Sequence, residues 1–162
     1  VVDATLPQLA ALLECRWYVN DKGYVRTFDW QQPGRVTVKL HQVILNTPPG
    51  LVVDHINGNP LDNRLVNLRP ATGSQNAMNR NQPRGKVPYR GVSLRGERFH
   101  AKLRWKDESL HLGDFHTAKD AARVYDIVSL LVAGDFARTN FDRERYVRLI
   151  ERLRVLIGVE HP

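Results

Sequence analysis

One cysteine in 162 residues leaves this chain without an internal disulfide or a multi-cysteine zinc site, and Cys15 fits a reducing compartment. No stretch approaches the roughly 18 uninterrupted apolar residues that a membrane span needs. The opening VVDATLPQL has no basic segment followed by an apolar one, so the sequence reads as soluble, not exported and without membrane contact. It lacks an initial methionine, as a processed or trimmed chain would. Acid is scarce in one place above all. From Arg80 to Lys106 nine basic residues (Arg80, Arg84, Lys86, Arg90, Arg95, Arg98, Lys102, Arg104 and Lys106) face a single acid, Glu97. That segment alone carries +8, against a formal +7 for the whole chain, so the remainder is nearly neutral. A basic block that coincides with a predicted sheet is expected to meet nucleic acid.

The first fifty residues read as short strands and turns. CRWYVN and GYVRTF predict two strands around the turn Asp21-Lys22-Gly23, and RVTVKL alternates as a third. HQVILN predicts a single helical turn stopped by Pro48-Pro49-Gly50. An apolar strand LVVDHI, a loop punctuated by Asn57-Gly58-Asn59-Pro60, a short strand near NLRPA and a helix in TGSQNAMNRN follow, with Thr72 or Ser74 as its cap. Residues 81–88, NQPRGKVP, hold two prolines and a glycine with little to bury, which marks a linker.

Beyond it the period is two. Phe99, Ala101, Leu103 and Trp105 fall on one face of a strand, and Arg98, His100, Lys102, Arg104 and Lys106 on the other. Val92 with Leu94, and Leu110 with Leu112, extend the apolar face; Gly96-Glu97 and Asp107-Glu108 supply the turns. TAKDAARVYDIVSLLVAG then reads as a helix from a Thr117 cap, with Asp120 as an imperfect capping-box partner, to a Gly134 stop. Its stripe Ala118, Ala121, Ala122, Tyr125 and Val128 suits close packing on a sheet. In the tail, Tyr146, Leu149, Ile150, Leu153, Leu156 and Ile157 recur at helical spacing, which predicts an amphipathic helix docking on its own chain and leaves a dimer seam open. The fold class is α+β.

Asparagine is a poor choice inside helices and strands, yet VVDHINGNPLDNRLVNLR carries four of them after an Asp-His pair. Phosphodiester hydrolysis needs a base to activate water and a hard cation to neutralise growing charge. Histidine suits the first role, and oxygen ligands such as a carboxylate and an amide suit magnesium or manganese. Asp54, His55 and an amide arriving from the following helix supply that minimum, provided the strand ends there, since neighbours in a regular strand point to opposite faces. By spacing alone the same residues also describe a turn aspartate beside a surface histidine.

HQVIL, PPG, VVDHINGNPLDNRLVNLR and SQNAMN, in that order, resemble the HNH homing endonuclease family and its ββα-metal motif over residues 36–81. The resemblance implies an HNH nuclease domain over 1–80, with Asp54 and Asn76 as ligands of one Mg2+ or Mn2+ ion and His55 as general base. It implies that Asn67 ties the two strands of the motif together and positions His55. His41 matches an upstream histidine that contacts the phosphate or is structural. Gln42 stands where the family commonly has Arg, which puts a backbone contact in doubt.

YRGV, KLRW, HLGDF, TAKDAARVYD and TNF resemble the Apetala/ethylene-response-factor DNA-binding domain over residues 89–141, which leaves 142–162 as a C-terminal helix. That family lays a three-stranded sheet in the major groove of double-stranded DNA. By position Arg90, Arg95 and Arg104 match its DNA-contacting arginines, and Lys102 and His111 share their face. Ser93 stands where that family usually has Arg and His111 where it often has Trp, so a different target sequence is expected. Phe99, Leu103, Tyr125 and Phe141 are assigned to the core.

Together these readings predict a site-specific, divalent-metal-dependent DNA endonuclease, monomeric and nicking because it has one site per chain. Its expected setting is the cytoplasm of a bacterial or phage-infected cell. The competing reading is a DNA-binding regulator whose HNH module is only scaffold. A protein of structured RNA is disfavoured, because the A-form major groove is too narrow for a sheet.

Overall fold

The computed structural model describes residues 1–3, 12, 14–29, 34, 36–80 and 86–158. The chain divides into two compact units, Val1–Asn76 and Ala77–Pro162. The division precedes the proline-bearing 81–88 stretch, of which 81–85 lie outside the described residues. Its cause is Met78, which is 3% exposed in the core of the second unit. No helix among the described residues is long and apolar enough to cross a membrane.

In the first unit, β1 (Tyr18–Val19), β2 (Val25–Asp29) and β3 (Val36–Lys39) form an antiparallel sheet in that order. The predicted turn is closed by Asn20, whose Oδ1 accepts the backbone N–H groups of Lys22 and Tyr24. Helix α1 (Leu40–Leu45) buries Leu40, His41 and Ile44, and ends at Asn46 in the left-handed conformation that asparagine tolerates. Strands β4 (Val52–His55) and β5 (Leu68–Ala71) pair antiparallel, with Asp54 opposite Arg69 and His55 opposite Leu68. Helix α2 (Gly73–Met78) follows. Thr72 is its cap: Thr72 Oγ1 accepts from Gln75 N–H at 3.2 Å, and Gln75 Oε1 accepts from Thr72 N–H at 2.8 Å. Leu12, Leu40, Ile44, Val53 and Leu68 make the core, each stabilising the unit by roughly 2 kcal/mol.

The second unit is a three-stranded antiparallel sheet, β6 (Val92–Arg95), β7 (Arg98–Trp105) and β8 (Glu108–Phe115), packed on α3 (Ala118–Ala133). The period of two read correctly: Ala101 and Leu103 are fully buried while Lys102 and Arg104 are exposed. Two details differ. Leu94 is 55% exposed, because it pairs with Phe99 at the hairpin end of the sheet beyond the densest core. The second hairpin turns at Lys106-Asp107, one residue early, with Lys106 at φ 48 and Glu108 already paired to Trp105. Thr117 caps α3 by accepting Asp120 N–H, and Asp120 answers through the Thr117 hydroxyl, so the box is indeed imperfect. Ala121 and Ala122 are wholly buried, and Gly91 lets the helix come closer still. A Cβ at Gly91, which sits at φ 71, would lie 2.0 Å from the Tyr125 ring, so the backbone and the ring share space that only glycine leaves.

Helix α4 (Val147–Ile157) docks on its own unit through Ile150 and the preceding Tyr146, both 7% exposed. Leu149, Val155, Leu156 and Ile157 are exposed on it.

Candidate active site

Strand β4 stops at His55, as a site using two neighbouring side chains requires. Gly58 N–H turns back to the His55 carbonyl at 2.7 Å, with Gly58 at φ 72. Asp54 and His55 are 3% and 6% exposed. Asp54 meets Arg69 across the hairpin, and Nε and Nη2 of the guanidinium both lie 2.8 Å from Oδ2. His55 Nε2 lies 3.3 Å from Asn63 Oδ1. The amide is oriented by its other end, because Asn63 Nδ2 donates to the Pro60 carbonyl at 3.4 Å. With an oxygen facing it, Nε2 carries the proton of the neutral ring and Nδ1 the lone pair. Burial lowers the pKa of His55 below its ordinary value, against the opposing pull of Asn63, Asp54 and Asp62, so at neutral pH the ring is a base in its unprotonated form.

The asparagines build the loop that holds this ring. Asn57 Oδ1 accepts Asn59 N–H, and Asn59 Oδ1 accepts Leu61 N–H, two successive Asx turns. Asn67 donates from Nδ2 to Asn57 Oδ1 and to the Asp62 carbonyl, and its Oδ1 accepts Asn57 N–H at 3.0 Å. Asn67 thus ties the start of β5 to the loop after β4, while the contact to the His55 ring comes from Asn63. Asp62 is gripped by Arg64 through both oxygens, which holds its carboxyl well below the usual carboxylate range. Asn76 lies half-buried in the last turn of α2.

His41, on α1, is 4% exposed and its Nδ1 has no hydrogen-bond partner. Its ring stands edge-on to His55 at 5.1 Å and to Tyr24 at 5.4 Å between centroids. Burial first, then the neighbouring His55 and Lys39, bring its pKa from 6.5 down to about 4. Unfolded, this ring takes up a proton near pH 6.5; folded, only near 4. The unfolded chain therefore binds more protons between those values, and stability is lost as pH falls through that window. We expect the unfolding free energy of the first unit, measured by urea titration, to drop between pH 6.5 and 4 by up to roughly 3 kcal/mol, and His41→Gln to flatten that dependence. An equally steep profile in the variant would assign it to another group.

On the second unit, Arg95, Lys102, Arg104 and His111 stand exposed on the face of the sheet opposite α3. Arg90 does not join them. Its guanidinium turns inward, donating to the Met78 carbonyl at 3.0 Å and hydrogen-bonding Tyr125. Its backbone N–H is held by Asn140 Oδ1 at 2.6 Å.

The residues that sequence reasoning missed are Asn63, Arg69 and Asp62 in the first unit. Their positions were readable, since Asp62-Asn63-Arg64 follows Pro60 closely, but their partners depend on the hairpin register and the loop's return.

Residues 46–78 match the family described as HNH endonuclease. An uncharacterized HNH endonuclease of Acanthamoeba polyphaga mimivirus is 28% identical over 131 residues, 77% of this chain and 66% of that protein. The ethylene-responsive transcription factor 3 of Nicotiana tabacum is 39% identical over 75 residues, 44% of this chain and 32% of that one. An AP2-like ethylene-responsive transcription factor of Arabidopsis thaliana is 39% identical over 71 residues, 39% of this chain and 12% of its own length. The chain thus spans just under two thirds of the viral protein and a third or less of the plant ones. It joins a segment that matches the HNH endonuclease family to a segment similar to the AP2-like ethylene-responsive transcription factors.

Proposed function

We propose that this chain is a divalent-metal-dependent DNA endonuclease that nicks double-stranded DNA. The observation that carries the reading is the neutral, buried His55, aimed by Asn63 and set beside a buried carboxylate, inside the segment that matches the HNH family. His55 Nδ1 takes the proton of a water molecule, and the resulting hydroxide attacks the scissile phosphate in line with the departing 3′ oxygen. The products are a 5′-phosphate and a 3′-hydroxyl. Asn67 and Asn63 act as positioning residues: the first fixes the loop, the second the ring and its tautomer. His41 backs the His55 ring with an uncharged edge and so adds no repulsion to the proton His55 acquires.

The donor set fits a hard dication, because a carboxylate and an amide offer oxygen and no thiolate is among them. Asp54 and Asn76 would hold one magnesium or manganese ion, which supplies charge neutralisation at the phosphate and the leaving oxygen. Arg69 fixes the Asp54 carboxylate in its buried place through two contacts to Oδ2.

In this reading the second unit supplies the address. Arg95, Lys102 and Arg104 present positive charge from one face of the sheet, and His111 adds a hydrogen-bonding ring. One catalytic site per chain makes the monomer a nickase, and the target is the host or phage genome of a homing-type element.

The test is conversion of supercoiled plasmid to open circle at low salt, in magnesium or manganese and in EDTA. Metal-dependent open circle is expected. Tight DNA binding with no nicking in any metal would instead make the protein a DNA-binding regulator on an HNH scaffold.

A further inference from the structure

Strand β8 contains one residue more than its partner. Ala101 pairs with Gly113, but the next residue, Lys102, pairs with His111, so Leu112 is the extra residue of a β-bulge. In a regular strand, side chains three positions apart point to opposite faces. The bulge cancels that, bringing His111 and Asp114 to the same face, and Asp114 lies directly opposite His100 on β7. Gly113, at φ 126, makes the bulge possible, and a Cβ there would press on the Phe115 ring at 3.2 Å.

The result is a convergence of three donors. His100 Nδ1 is 2.7 Å and His111 Nε2 3.2 Å from the same oxygen, Asp114 Oδ1, and the imidazole centroids are 5.7 Å apart. One ligand atom from each residue lies within 4.8 Å of the other two. All three side chains are reachable from solvent, His100 at 23%, Asp114 at 43% and His111 at 57%. Two imidazole nitrogens and a carboxylate oxygen, with a fourth position left open, are the donor set of three-ligand zinc sites. Imidazole nitrogen favours zinc and its neighbours nickel and copper over magnesium or calcium. The donors also stand on two hydrogen-bonded strands, so little backbone freedom is lost when an ion joins them.

We propose that His100, His111 and Asp114 bind one zinc-type transition-metal ion on the exposed face of this sheet, a site distinct from Asp54, His55 and Asn76. It does not rest on the nuclease reading, and zinc binding is measured without DNA.

The experiment is calorimetric titration of the full, chelator-stripped chain with zinc chloride at neutral pH, in excess magnesium to mask the oxygen-donor site. One equivalent of zinc is expected. His100→Ala, His111→Ala and Asp114→Asn each weaken it by at least about tenfold, and His116→Ala leaves it unchanged. Circular dichroism melts of the variants should match the wild type, because these side chains lie on the surface. Cobalt(II) gives a second readout: the intense visible absorption of a tetrahedral ion appears in the wild type and is lost in His111→Ala. Zinc isotherms in the three variants that overlay the wild type, or no zinc uptake by the wild type, would overturn the proposal.

Discussion

On the proposed endonuclease reading, replacing His55 by alanine is expected to lower the plasmid nicking rate about a thousandfold while DNA retention in EDTA stays at the wild-type level. The size follows from what general-base catalysis contributes, typically two to four orders of magnitude. The specificity of the effect follows from the site. His55 is buried at 6% exposure, is held by Asn63 and carries no charge at neutral pH, so alanine removes a base without removing a DNA contact. The cavity left beside Tyr24 and His41 has the size of an imidazole, and added imidazole should recover part of the rate. The measurement is the initial rate of open-circle formation at saturating magnesium, with a gel shift in EDTA as the control. A variant that nicks within tenfold of wild type would mean that another group activates the water.

The second large effect is on stability. Asp126→Ala is expected to destabilise the second unit by about 3 kcal/mol or more. Asp126 is fully buried on α3, where four donors hold it. Oδ1 accepts Asn140 N–H at 2.8 Å and Asn140 Nδ2 at 2.9 Å, and Oδ2 accepts Phe141 N–H at 3.0 Å and the Tyr146 hydroxyl at 3.2 Å. Burial raises the carboxyl pKa, and these donors pull it back. The Tyr146 hydroxyl, buried and beside that carboxylate, is pushed up to about 12. Alanine would strand two backbone N–H groups and a hydroxyl in a dry interior, where each unmade bond costs about 1–3 kcal/mol. Asparagine keeps one acceptor but turns amide hydrogens toward donors, and should cost a substantial part of the same amount. Asn140 also clips both backbone groups of Arg90, so the loss spreads to the entrance of β6. Urea unfolding of the full chain, followed by hydrogen exchange in α3, would measure it; a shift below about 0.5 kcal/mol would show that the unit tolerates the empty hub.

Why Asp126 was unreadable in the sequence is instructive. Its place on an amphipathic helix is ordinary, and its partners, 14 to 20 residues downstream, are set by how the tail folds back. Local pattern carried well where local physics decides. The alternation of Phe99 to Lys106, the Thr72 and Thr117 caps and the Asn20 turn all depend on neighbours within four residues. Register decides the rest. Asn63 reaches His55 and Arg69 reaches Asp54 only once the hairpin has closed. The bulge at Leu112 leaves only a faint trace in the pattern: Phe115 falls out of phase with Leu110 and Leu112, as it would equally if the strand ended before it. Arg90 shows the converse: its position in the second resemblance suggests DNA, and its inward hydrogen bonds give it a structural task.

The Asn57-Gly58 step gives the loop a chemical lifetime. Asparagine followed by glycine is the dipeptide most prone to lose its amide through a cyclic imide, and asparagine is among the thermally labile residues. Here the side chain is restrained, since Nδ2 donates to Asp62 Oδ2 at 3.0 Å and Oδ1 receives both Asn59 N–H and Asn67 Nδ2. Folding therefore protects the residue from its own neighbour. Once converted to a carboxylate, position 57 would face Asp62 with like charge in place of a donor. Conversion at position 57 would therefore loosen the loop that aims His55.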